Sequence, residues 1–146
     1  MDRVPSDVIY ALTLDGKGGM QPLAAGSEIP GKSPGWLHLD YGNPEAARWL
    51  LQTPLLNDAA KESLLGQSNR PKLVRMGETV LLILRGINHN KDHRPEEMVA
   101  LRIFITPDLI ISSRRRPRLS EQYAFNQLTQ GGGADTPADW LVEVCD

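Results

Sequence analysis

The sequence predicts an α/β fold, and three observations carry that expectation. Short apolar, β-branched segments recur along the chain: "VIYALTL", "KLVRM", "TVLLILRGI", "MVALRIFI" and "LIISS". Segments with helix-start signals and an apolar stripe lie between and after them, and clusters of Gly, Pro, Asn and Asp punctuate the boundaries. With 146 residues, 40% hydrophobic and 23% charged, the chain suits one globular domain with its own core.

Residues 8–14 read as a strand ended by the turn cluster "DGKGG", and "MQPLAAGSEIPGKSPG" reads as loop with one short strand. "WLHLDY", residues 36–41, alternates Trp36, His38 and Asp40 with Leu37, Leu39 and Tyr41, the period of a half-buried strand. Asn43, Pro44 and Glu45 then open a helix as N-cap, first helical residue and first-turn acid. Ala46, Ala47, Leu50 and Leu51 supply its expected buried stripe, and Thr53-Pro54 stops it. A second helix is capped by Asn57 or Asp58, turns Leu64 and Leu65 inward and ends at Gly66.

The middle of the chain is β. "KLVRM", a Gly77-Glu78 turn and "TVLLILRGI" form a hairpin from Lys72 to Ile87; its second strand is apolar on both faces and is therefore expected at the centre of the sheet. "MVALRIFI" places Val99, Leu101, Ile103 and Ile105 on one face, and Thr106-Pro107-Asp108 turns the chain into "LIISS". Residues 119–128 form a third helix, broken by the glycines at 131–133. Thr136-Pro137 caps a fourth, whose stripe pairs Trp140 with Val144 and Leu141 with Cys145.

Composition excludes fibrous and disordered classes. The single cysteine, Cys145, fits a reducing compartment and allows no intrachain disulfide. No basic n-region precedes a long apolar run, so no signal peptide is expected. The longest apolar run, "VLLIL", falls far short of the roughly 20 residues of a spanning helix, so the expectation is a soluble chain. Charge is uneven: between Arg70 and Arg118 eleven Lys/Arg face five Asp/Glu, although the net charge is −2.

"GSEIPGKS", residues 26–33, matches the phosphate-loop pattern, with Lys32 and Ser33 in the functional positions. A working loop opens a helix, yet Pro34-Gly35 and a strand-like segment follow Ser33, and Pro30 removes an N–H from the cradle. No nucleotide binding is expected. His89, Asp92 and His93 in "HNKDH" carry the ligand types for zinc, set against the reading of a solvated, Lys-bearing loop. Arg114, Arg115, Arg116 and Arg118 form the densest charge cluster and are candidates for an anion or subunit contact. Without interleaved aromatics they do not point to nucleic acid. No nucleophile–base pair or acid–base pair stands out, so neither an enzyme nor a tightly bound cofactor is expected.

Read in order, "LDGKGG", "WLHLDY", "WLLQTPLL", "RPKLVRMGETVLLILRGIN", "RPEEMVALRIFI", "LIISSRRR" and "DWLVEVCD" resemble the cytoplasmic N-terminal domain of CorA-type divalent-cation transporters, above all their zinc-transporting, ZntB-like branch. The resemblance implies an α/β/α sandwich with a mixed, largely antiparallel central sheet. It implies that residues 1–146 are one cytoplasmic domain, with the membrane helices absent from this chain. The implied whole is a homopentamer at the bacterial inner membrane, carrying zinc or a related divalent cation as transported ion; this domain by itself is expected to be monomeric or weakly associated. An acidic pair that senses cations in the magnesium branch corresponds here to Glu62 and Ser63, which leaves Glu62 as a single carboxylate. The alternative is a free-standing module that binds an anion or other ligand at the basic strand end.

Overall fold

The computed structural model describes residues 3–29, 34–67, 73–87, 98–115 and 119–145. In chain order they form β1 (Tyr10–Leu14), β2 (Met20–Pro22), β3 (Gly35–Asp40), α1 (Pro44–Gln52), α2 (Asp58–Leu64), β4 (Leu73–Met76), β5 (Thr79–Ile87), β6 (Met98–Ile105), β7 (Leu109–Arg114), α3 (Leu119–Thr129) and α4 (Pro137–Cys145). The seven strands make one sheet in the order β2-β1-β3-β7-β6-β5-β4. Every pairing is antiparallel except β3 with β7, which runs parallel from Gly35 opposite Leu109 to Asp40 opposite Arg114.

Both faces of the sheet are covered. On one, α1 and α2 place Ala46, Leu50, Ala60 and Leu64 against Leu37, Leu39, Leu81, Phe104 and Ile111. On the other, α3 and α4 place Ala124, Leu128, Trp140 and Val144 against Leu12, Trp36, Leu101, Ile103 and Ile110. This is the expected α/β/α layering around a mixed, largely antiparallel sheet.

The helix starts follow the local chemistry. Asn43 accepts from the Glu45 and Ala46 amides at 2.9 and 3.2 Å, Asn57 accepts from Ala60 N at 2.8 Å, and Thr136 accepts from Asp139 N at 3.2 Å. Gly66 closes α2 in the left-handed region, φ +75°. Nine residues are too short to persist as an isolated helix, and α4 is held by docking. Its Trp140 and Val144 are fully buried, and Trp140 meets the Trp36 ring edge-on at 5.1 Å. The Val99 and Cys145 side chains lie outside the described residues.

Three sequence expectations are corrected. The hairpin of β4 and β5 is at the margin of the sheet, with β4 on the edge, and the central strand is β7. Burial of Leu81, Leu82 and Ile83 on both faces reports the helices above and below β5; it carries no information about lateral position. β3 is likewise buried on both faces from Gly35 to Leu39 and is not half-buried, because it lies inside the sheet under helices on each side. Leu51 is 60% exposed, since Ala46 and Leu50 take the inward face of α1 and Leu51 falls about 100° around the helix from Leu50.

Candidate functional site

Parallel pairing sends the C-terminal ends of β3 and β7 to the same end of the sheet, where α/β proteins commonly bind ligands. Asp40 and Arg114 are opposite each other in that register. The Asp40 carboxylate lies 3.9 Å from Arg114 Nη1 and 3.8 Å from Arg115 Nη1. The Arg115 guanidinium lies over Gly42, in space that a Cβ at that position would fill. Asp40 also accepts from the Gly42 amide at 2.8 Å, and α1 begins two residues later with its first free amides already taken by Asn43. Part of the positive charge counted along the sequence is thus met inside the domain. Arg116 and Arg118 lie outside the described residues.

Glu62 stands on the exposed side of α2. His89, Asp92 and His93 lie outside the described residues, as do Lys32 and Ser33. Among the described residues no three His, Cys, Asp or Glu side chains gather to hold a metal ion. Pro34 leads directly into β3, so the segment following the phosphate-loop pattern is a strand.

Two buried polar arrangements went unread in the sequence. Trp36 Nε1, which can only donate, gives its hydrogen to Ser112 Oγ at 2.9 Å, and Ser112 Oγ lies 2.7 Å from His38 Nδ1. With one Ser112 lone pair occupied by the indole, its own proton can go to His38 Nδ1. A serine beside an imidazole is the geometry of an activated nucleophile, but Ser112 and His38 are both completely buried. Tyr10 stacks on His38 at 5.5 Å and on Phe125 at 3.9 Å. No substrate carbonyl could approach, and the pair works as a polar tie inside an aromatic cluster.

The second arrangement holds the end of α2. Arg102, only 4% exposed, donates from β6 to the Ser63 carbonyl at 3.0 Å, with its guanidinium 5.7 Å from the centre of the Tyr41 ring. Ser113 Oγ donates from β7 to the Leu64 carbonyl at 2.6 Å. One signal was available for Arg102. Once Leu101, Ile103 and Ile105 are assigned to one face, Arg102 shares the other with Phe104, and a cation on a covered face requires a buried acceptor. Nothing comparable singles out Ser112 and Ser113.

The arrangement is that of a layered α/β domain in which Trp36, His38 and Ser112 are tied together inside, while Asp40, Arg114 and Arg115 meet at one strand end. Residues 31–146 match the family model described as CorA-like Mg2+ transporter protein, and the chain belongs to that family. It is 43% identical over 141 residues to the zinc transport protein ZntB of Yersinia pestis, covering 97% of this chain and 43% of that protein. With the zinc transport protein ZntB of Cronobacter sakazakii it shares 43% identity over 140 residues, with 96% and 43% covered. Among solved structures, the full-length CmaX protein superposes with a TM-score of 0.84 at 32% identity, over 99% of this chain and 46% of that one. The ZntB cytoplasmic domain of Vibrio parahaemolyticus gives a TM-score of 0.78 at 24% identity, over 95% and 56%, and supports the fold alone. The chain therefore spans less than half the length of these curated relatives.

Proposed function

We propose that this chain is the cytoplasmic regulatory and assembly domain of a divalent-cation transporter of the bacterial inner membrane, with zinc as the favoured ion. The observation that carries the reading is the similarity to zinc transport proteins over 97% of the chain. Among the described residues no helix is long and apolar enough to cross a membrane, so on this reading the pore is built by other polypeptide of the same protein. The domain's work is to shape the approach to that pore and to couple cytosolic conditions to it. It holds no catalytic step and no resident cofactor; the divalent cation is cargo. Five copies assemble in the complete transporter, whereas residues 1–146 by themselves stay monomeric or weakly associated. The anion-binding alternative is less favoured because Asp40 already faces Arg114 and Arg115.

The test is ion flux in vesicles containing the protein expressed from its full reading frame, with zinc and magnesium in competition. Zinc-dependent flux that excess magnesium leaves largely intact is the expected result. Magnesium flux insensitive to zinc would overturn the choice of ion, and no flux of either would overturn the assignment. Sedimentation of residues 1–146 tests the assembly part: a stable pentamer of that piece would overturn the proposed weak association.

A further inference from the structure

Met76 ends β4 on the outer edge of the sheet, just before the exposed Gly77-Glu78 turn. It is 38% exposed. Its sulfur lies 3.6 Å from Nδ2 of Asn57, the residue that caps α2. The orientation of that amide is fixed independently. Ala60 N can only donate, and it donates to Asn57 Oδ1 at 2.8 Å, so the amide atom turned toward Met76 is the nitrogen. A thioether sulfur is a weak acceptor, so a donor is here aimed at a partner that uses it poorly. Met20, the other methionine whose side chain is described, is half-buried and packs against the core that contains Trp36 and Ile110.

We propose that Met76 is a site of oxidation by peroxides and that Asn57 holds the resulting sulfoxide. Small oxidants act first on thioethers they can reach, and Met76 presents its sulfur beside an open turn. The Sδ lone pair attacks one oxygen of hydrogen peroxide, and the S–O bond forms as the O–O bond breaks. The departing hydroxide takes the proton of the transferred OH and leaves as water. Sulfur is oxidised by two electrons and the peroxide is reduced by two. The new oxygen carries a large partial negative charge and accepts hydrogen bonds far better than the sulfur did. Bent geometry at that oxygen lets it meet Asn57 Nδ2 at about 2.9 Å with the sulfur near its present place. Oxidation of a core methionine disrupts packing; at Met76 it gives an aimed donor its partner. The tie between the start of α2 and the end of β4 is weak with the thioether and firm with the sulfoxide. This joint responds to peroxide and is independent of which ion the transporter carries.

Treatment of the purified chain with hydrogen peroxide tests this, with peptide mass spectrometry at each methionine and urea unfolding before and after. Asn57→Asp keeps a capping oxygen for α2 and replaces the Nδ2 donor with a second carboxylate oxygen, so it removes the proposed partner of the sulfoxide. Met76→Leu reports what the other methionines contribute. The expected result is conversion of Met76 at least about fivefold faster than Met20. Oxidation then raises the urea midpoint of the parent, lowers that of Asn57→Asp and leaves that of Met76→Leu where it was. Conversion of Met76 no faster than Met20 would overturn the site. A parent midpoint that falls on oxidation, or that moves equally in Asn57→Asp, would overturn the role of Asn57. A shift in Met76→Leu as large as the parent's would assign the effect to another methionine and overturn the proposal as well.

Discussion

Ser113 Oγ donates to the Leu64 carbonyl across 2.6 Å, fastening the central strand to the last turn of α2. Carbonyls at a helix C-terminus have no partner within the helix, and here the sheet supplies donors. Arg102 does the same at Ser63. Arg102→Met keeps much of the bulk and removes the donors, so it is expected to cost about 1.5–3 kcal/mol, the range for a hydrogen bond from a charged group. Ser113→Ala is expected to cost about 1–3 kcal/mol by leaving the Leu64 carbonyl buried without that donor. Urea unfolding of the purified chain measures both. An Arg102→Met midpoint equal to the parent's would mean that the Arg102 hydrogen bond adds nothing to the hold on α2.

Gly16 and Gly18 separate backbone conformation from crowding. Both have positive φ, +78° and +84°, but a Cβ at Gly16 meets open space, while one at Gly18 would be 2.5 Å from the Gly131 carbonyl oxygen. The Gly18 carbonyl also accepts from Gly133 N at 2.7 Å, so the two glycine-rich turns are in direct contact. Gly16→Ala is expected to cost about 1–2 kcal/mol, the penalty of the left-handed region. Gly18→Ala should cost clearly more, because backbone must move as well. Thermal unfolding of the two variants side by side gives the comparison, and equal losses would mean that the Gly131 turn yields freely.

The β4–β5 pair offers a contrast in burial within one register. Leu82→Ala is expected to cost about 2–5 kcal/mol, the range for truncating a buried leucine. Leu73→Ala, directly opposite but 75% exposed, should stay within about 0.5 kcal/mol of the parent in residues 1–146. Equilibrium unfolding reads both. A large loss at Leu73 in this chain would show that the edge is already covered, for example by self-association.

Nucleotide binding is expected to be absent. The segment after residues 30–33 is a strand, so the phosphate-loop pattern does not open a helix. Titration calorimetry with ATP or GTP and magnesium should give no saturable heat, and Lys32→Ala should unfold as the parent does. Micromolar binding lost in Lys32→Ala would reverse this conclusion.

Much of the fold was legible because its signals are local. Asn43, Asn57 and Thr136 announce helix starts through side chains that reach amides two or three residues away, and the Leu101, Ile103, Ile105 alternation announces a strand through its own pleat. Lateral strand order was not legible. "TVLLILRGI" is as apolar as a central strand, yet it lies next to the edge, because residue pattern records cover above and below and says nothing about neighbours alongside. The candidate site divides the same way. A run of arginines can be counted, but that Asp40 would face two of them depends on a parallel register between distant segments. Ser112 and Ser113 look like ordinary strand serines until Trp36, His38 and Leu64 are brought to them.

The single parallel pairing between β3 and β7 also has a consequence in time. β1, β2 and β3 pair by short connections, and so do β4 to β7, giving two ribbons that form from local contacts. Joining them requires Gly35 to find Leu109, a long-range closure of the kind that slows folding. During synthesis β3 emerges with one edge open and keeps it open until Leu109–Arg114 has been made. The newborn chain therefore passes through an interval in which Trp36, Leu37 and Leu39 belong to an unfinished sheet, and in that interval it is most exposed to pairing with the wrong strand.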